Sequence, residues 1–255
     1  MKHILIISNI PAPYRSGQFA CLRSRFPEWK VSVLYTGKIE ADRVWETDEP
    51  EGETYFLQSK VLSVKGGEVG GTATRFVHLP KGLLKMLDTL KPDVVIAGEY
   101  NLSAVQALFW AKAHQIPFVN MTDGTLHSES YIGFVQKLTR RLIIGGADSF
   151  LASGSRAKEK LLHWGAEEER IVIAYLTVDT TPFQKLVRQP ENGRILYVGR
   201  ISREKGLDLL VQALAKMKIP GVLRVAGNDV GGEQAAIQSL AESLGVADRI
   251  QWLGY

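Results

Sequence analysis

The chain has 255 residues, 45% of them apolar and 23% charged, with a formal net charge of +4. That length exceeds one typical domain, and no apolar run approaches the roughly 18 residues that read as a membrane span. The mild positive charge suits an anionic ligand or a lipid surface, whereas the lack of a basic tract interleaved with aromatics argues against nucleic acid.

MKHILIIS is a single short apolar run before Pro11 and Pro13, and it reads as a first strand over residues 4–7 rather than as a signal peptide. A helix over 18–26 and a strand over 31–35 complete a βαβ unit. The lone Cys21 reads as a small buried apolar residue in a reducing compartment. Residues 36–77 are expected to be irregular, with an acidic stretch at 46–53, a strand-like 55–57 and glycines at 66, 67, 70 and 71. Alternation then resumes with a helix over 80–90, whose first turn holds Pro80, a strand over 94–97, a helix over 102–113 and a strand over 117–121. Helix 130–144, strand 149–152, helix 155–164 and strand 171–173 follow. This is the pattern of a parallel sheet with helices on both faces, an α/β fold. Residues 177–193 break the rhythm, which sets a first domain at 1–180, a linker at 181–193 and a second domain at 194–255. The second offers strands at 195–198, 222–226 and 250–253 with two helices between them, one half of a doubly wound domain. It is expected to be incomplete, with a bare edge and apolar faces that invite association with another chain.

Arg194 to Met217 carries the densest signal. Ile195 to Val198 is apolar without alternation, as in a strand buried on both faces, and Gly199 ends it. Leu207, Leu210, Val211 and Leu214 then share one helical face. Between them, Arg200, Arg203, Glu204 and Lys205 lie at a helix start, where free backbone N–H groups favour an anion. A guanidinium fork with a mobile ammonium suits a diphosphate; a solvated basic loop is the alternative. In the first domain, Asn9 to Gly17 (NIPAPYRSG) follows the first strand at the end of the sheet where ligands collect, and it lacks the G-x-G-x-x-G of a dinucleotide site. An NAD-dependent oxidoreductase is therefore disfavoured. Glu99 and Asp123 follow two strands at that same end, as catalytic or as ordinary surface carboxylates. The five histidines show no metal-ligand spacing, so no metal is expected, and His127 reads as a surface residue near Asp123. Ser16, Ser153 and Ser155 lack a nucleophile elbow. Helix 130–144 carries Lys137, Arg140 and Arg141 on an apolar background. It rests on an anionic lipid surface, or packs on the sheet with its cations in water. The N-x-S/T triplets at Asn101 and Asn120 are taken as chance.

The succession V-G-R-x-x-x-E-K-G-x-D-x-L-V-x-A-L, a strand ending A-G-N-D, and D-R-I-x-W-L-G-Y resembles the carboxy-terminal domain of glycosyltransferase family 4. These are retaining enzymes with two facing Rossmann-like domains, called GT-B. The resemblance implies transfer of a sugar, with retention, from a nucleotide-diphosphate donor to a glycan or lipid-linked acceptor in the cleft between the domains. That is work of cell-envelope polysaccharide biosynthesis, cytoplasmic or peripheral on the inner face of the membrane. It implies no cofactor beyond the nucleotide sugar as co-substrate. Arg200 and Lys205 would stabilise the departing diphosphate, with Gly199, Gly227, Asn228 and Asp229 near the nucleotide. The P-x-P-Y-R loop resembles one branch of the family in which it faces the cleft, so Arg15, Ser16 and Gly17 become substrate-binding candidates, Gly17 for close backbone approach. Glu99 matches an acidic residue of the family, and Asp123 stands where many members have a histidine lining the sugar; both would orient sugar or acceptor hydroxyls. The family's acidic pair, E-x-x-x-x-x-x-x-E, falls beyond Tyr255. The alternative is a truncated, non-catalytic transferase that binds a partner or acceptor.

Overall fold

The computed structural model describes residues 1–40, 53–65, 74–184, 193–229 and 231–255. In chain order the elements are β1 (Lys2–Ser8), α1 (Pro13–Arg25), β2 (Trp29–Tyr35), β3 (Thr54–Phe56), β4 (Ser59–Lys65), β5 (Thr74–Pro80), α2 (Leu83–Leu90), β6 (Val94–Gly98), α3 (Leu102–Ala113) and β7 (Phe118–Thr122). Then come α4 (Phe134–Gly146), β8 (Ser149–Ala152), α5 (Ser155–His163), β9 (Ile171–Ile173), α6 (Thr181–Gln184), β10 (Arg194–Val198), α7 (Leu207–Lys216), β11 (Val222–Ala226), α8 (Glu233–Ser243) and β12 (Ile250–Gly254). The chain divides into two compact units, Met1–Val64 with Phe76–Pro182, and Phe183–Tyr255 with Lys65–Arg75.

The first unit is built on a seven-stranded sheet in the order β3-β2-β1-β6-β7-β8-β9, with every neighbouring pair parallel. Period-two alternation splits β1 between two cores: Leu5 and Ile7 join Val95, Ala97, Phe118 and Phe150 on one face, while Ile6 packs with Phe19, Val33 and Tyr35 on the other. This is why β1 needs no polar position in its middle. The strand order reverses between β1 and β6, which makes a crevice beyond their carboxyl ends. Asn101 caps α3 there, its Oδ1 accepting from the Ala104 N–H at 2.9 Å, while its Nδ2 donates to Asn9 Oδ1 at 3.1 Å.

The second unit holds a parallel three-stranded sheet, β10-β11-β12. Its core joins Leu207, Val211 and Leu214 of α7 to Leu223 and Val225 of β11 and Ile237 and Ala241 of α8.

Several expected boundaries move. α1 starts at Pro13, with proline in its first turn, so only Asn9 to Ala12 form the loop after β1. Pro80 closes β5 instead of opening α2, which begins after Gly82 at φ 80°. Residues 130–133 precede α4, and the expected irregular stretch contains β4 and the first residues of β5. Cys21 is exposed on α1. The run Ile195 to Val198 is not buried on both faces: Leu196 is 58% and Val198 74% exposed, because Ile195 and Tyr197 face the core while the opposite face has no core among the described residues. The glycines at 66, 67, 70 and 71 and the acidic residues before Glu53 lie outside the described residues, as does most of the expected linker.

Candidate active site

A cleft of about 300 Å³ occupies the crevice of the first unit. Ser8, Asn9 and Ile10 line it at the end of β1, Gly98 and Glu99 at the end of β6, and Met121 and Asp123 at the end of β7, with Tyr14 and Arg15 from α1. Glu99 is a non-glycine residue at φ 64°, a conformation that persists only when its surroundings impose it. Here its N–H donates to the Met121 carbonyl at 2.9 Å and its own carbonyl accepts from Asn120 Nδ2 at 2.9 Å. The fully buried Asn120 also donates to the Ala97 carbonyl. The strained backbone aims the Glu99 carboxyl at Asp123. Burial first, then the charge and hydrogen bond of Asp123, push its pKa up to about 8.

The sign of the linkage follows. A carboxyl with a raised folded pKa is neutral in the native state and ionised in the unfolded chain between pH about 4.5 and about 8, so its contribution to stability falls as pH rises through that window. Glu99→Gln should therefore gain stability relative to the wild type from pH 5 to pH 8, measured by urea denaturation. A pH-independent difference would show that Glu99 ionises normally.

Behind the carboxylates lies a buried ionic network. Lys160, on α5, is fully buried and donates to Thr122 Oγ1 at 2.8 Å and Glu129 Oε1 at 3.1 Å. Arg140, on α4, donates through Nε to Glu129 Oε2 at 2.6 Å. Both cations lie over the Tyr100 ring, at 4.6 and 4.8 Å, an attraction that strengthens as water is excluded. Burial opposes the charge of Glu129, but the two cations outweigh it and hold its pKa low; burial likewise holds Lys160 below its usual value. A Cβ on Gly124 would overlap the Glu129 carboxylate and come within 2.9 Å of Lys160 Nζ. The network thus touches the residue on each side of Asp123 and the residue after Glu99, fixing both carboxylates from behind.

In the second unit, Gly227 stands at φ 153°, and a Cβ there would run into the Gly199 carbonyl oxygen. This close approach lets Gly199 N–H bond the Ala226 carbonyl at 3.0 Å and Ile201 N–H the Asn228 carbonyl at 2.9 Å. Arg200 is thereby set beside Asn228 and Asp229 at the carboxyl end of the sheet. Its guanidinium is 3.7 Å from Glu204, which also accepts from Ser202 Oγ at 2.7 Å. Burial raises the Glu204 pKa, but the Ser202 bond and the charges of Arg200 and Lys205 bring it below the ordinary value. Lys205 ends a short 3-10 turn one residue before α7. Asp229 Oδ1 accepts the first N–H of α8, from Glu233.

The structure therefore brings Arg15, Glu99 and Asp123 into one cleft, and sets Gly199 and Arg200, after β10, against Gly227, Asn228 and Asp229, after β11, with Lys205 close in sequence. Ser16 and Gly17 are separated from these: they lie inside α1, Ser16 Oγ bonding back to the Ala12 carbonyl. A Cβ on Gly17 would meet no protein atom within 4 Å. His127 is exposed. Lys160, Glu129 and Thr122 were not among the expected site residues. Arg140, expected in water, is buried. The visible signal was spacing, since Lys160 shares a helical face with the buried Ala157 and Leu161.

Residues 178–255 match the family model described as glycosyl transferases group 1. A D-inositol 3-phosphate glycosyltransferase of Mycobacteroides abscessus is 32% identical over 123 residues, covering 44% of this chain and 28% of that protein. The aligned stretch therefore spans less than a third of the relative's length. Among solved structures, Anabaena Alr3699/HepE in complex with UDP superposes with a TM-score of 0.70 at 14% identity, covering 100% of this chain and 69% of that one. UDP-N-acetylglucosamine 2-epimerase from Rickettsia bellii superposes at 0.56 and 17% identity, covering 99% and 68%. The fold alone therefore does not identify a reaction, and only the site can do so. The chain has the Rossmann-like GT-B fold, and its residues 178–255 carry the signature of the group 1 glycosyl transferases.

Proposed function

We propose that this chain belongs to a retaining glycosyltransferase of family 4 type that moves a sugar from a nucleoside-diphosphate donor to a glycan or lipid-linked acceptor. The observation that carries the reading is the Gly199–Gly227 approach, which fixes Arg200 at the end of a parallel sheet beside the start of α7. In the reaction the bond from the anomeric carbon to the diphosphate oxygen breaks, a bond to the acceptor oxygen forms, and the acceptor loses a proton. Negative charge gathers on the leaving diphosphate. Arg200 and Lys205 meet it there, favouring the transition state over the ground state without a divalent metal. Glu99 and Asp123 orient the acceptor and sugar hydroxyls in the first unit, and Arg15 faces the same cleft. Gly227, Asn228 and Asp229 border the nucleotide. The exposed Cys21 thiol suits a reducing compartment, and we place the reaction in the cytoplasm, in the assembly of envelope polysaccharide.

Calorimetric titration with UDP, GDP and ADP tests this. One nucleotide should bind, and Arg200→Ala with Lys205→Ala should weaken it by about 3 kcal/mol or more, from the loss of two charge-assisted contacts. The UDP held by the Anabaena protein makes UDP the first to try. Failure of a folded chain to bind any of the three would favour the alternative, a non-catalytic protein that binds an acceptor or partner.

A further inference from the structure

Helix α4 is apolar on two opposite sides. Ile143, Ile144 and the stem of Arg140 are buried against the rest of the first unit. Yet the outward side shows Phe134 81%, Val135 69%, Leu138 46% and Leu142 38% exposed, with Tyr131 64% exposed just before the helix. At 100° per residue, Phe134, Leu138 and Leu142 fall within an arc of about 80° facing away from the buried side. Exposed Lys137 and Arg141 flank that stripe. Arg140 is committed to Glu129, and no Asp or Glu occurs between Ser130 and Ala147. A solvent-facing helix normally turns charge outward; this one turns an aromatic and three aliphatics outward within a field of one sign.

We infer that the outer face of α4 docks on an anionic lipid bilayer, with Phe134, Val135, Leu138 and Leu142 entering the boundary between headgroups and acyl chains and Lys137 and Arg141 against the headgroups. Charge complementarity selects this occupant. A second copy meeting face to face would oppose Lys137 and Arg141 to their own counterparts, whereas an anionic surface satisfies both the apolar and the cationic elements. Among the described residues no helix is long and apolar enough to cross a membrane, so this contact lies on the bilayer surface. The inference goes beyond sugar transfer and does not require it.

The test is flotation of the full chain with vesicles of equimolar phosphatidylcholine and phosphatidylglycerol, against vesicles of phosphatidylcholine alone. Binding should favour the anionic vesicles by about tenfold or more and weaken with added salt. Phe134→Ser with Val135→Ser and Leu138→Ser should cost about tenfold or more, as should Lys137→Glu with Arg141→Glu. These positions are exposed, so the variants keep the fold, and nucleotide titration of the same preparations reports the second unit independently. Absence of vesicle binding, equal binding to both vesicle types, or unchanged binding of the serine variant overturns the proposal. Self-association of the wild type that disappears in the serine variant, without vesicle binding, assigns the face to a second copy and overturns it too.

Discussion

Lys160→Met will lower the unfolding free energy of the first unit by about 3–5 kcal/mol, the range for breaking a buried ion pair from one side. The ammonium is fully buried and serves Thr122 and Glu129 together. Without it, Glu129 keeps only Arg140 at its other oxygen, and the Thr122 hydroxyl loses its donor. Methionine fills the stem's volume, so the loss reports the charge rather than a cavity. Adding Glu129→Gln should recover part of it by removing the stranded carboxylate. Urea denaturation followed by tryptophan fluorescence measures both. A single-variant loss below about 1 kcal/mol, the scale of an exposed pair, would mean that water reaches Lys160.

Gly227→Ala will have an effect of similar size in the second unit, about 3–5 kcal/mol from overlap combined with backbone strain. The new methyl group would occupy the space of the Gly199 carbonyl oxygen, and alanine disfavours φ 153°. Relief requires the turns after β10 and β11 to part, which breaks the bonds from Gly199 to Ala226 and from Ile201 to Asn228. Hydrogen exchange read by peptide resolves the consequence. Protection should fall in β10 and β11 and stay unchanged in β1, β6 and β7. Retained protection of the Gly199 and Ile201 amides would show that the two turns do not touch. Gly17→Ala is the contrast, since open space surrounds that position.

The inner strands of the first unit were legible because they are short apolar runs covered on both sides; 149–152, and the edge strand at 171–173 with Val172 exposed, match the structure residue for residue. The start of α1 was not legible, since Phe19 is its one buried residue and no apolar period reaches back to Pro13. β4 escaped for a related reason: adjacent Val61 and Leu62 are both 39% exposed, so no buried face imprinted an alternation. In β10 the sequence pattern of a covered strand met a face with no cover. Glu99 and Asp123 could be found from their places after strands. Their shared support could not, because Lys160, Glu129 and Arg140 come from separate segments that the sheet order alone brings together. Composition counted Arg140 as one more surface cation, whereas its position relative to Ile143 and Ile144 already placed it inward.

Asn101 and Asn120 each head an N-x-S/T triplet, and both amide nitrogens are spoken for. That of Asn120, fully buried, ties β7 to the carbonyls of Ala97 and Glu99; that of Asn101 holds the loop after β1 while its oxygen caps α3. A glycan attached to either nitrogen during translation would occupy the place of these bonds, and at Asn120 it would have to pass through the sheet. Secretion from a eukaryotic host would thus set glycosylation and folding in direct competition, at the two positions that shape the cleft.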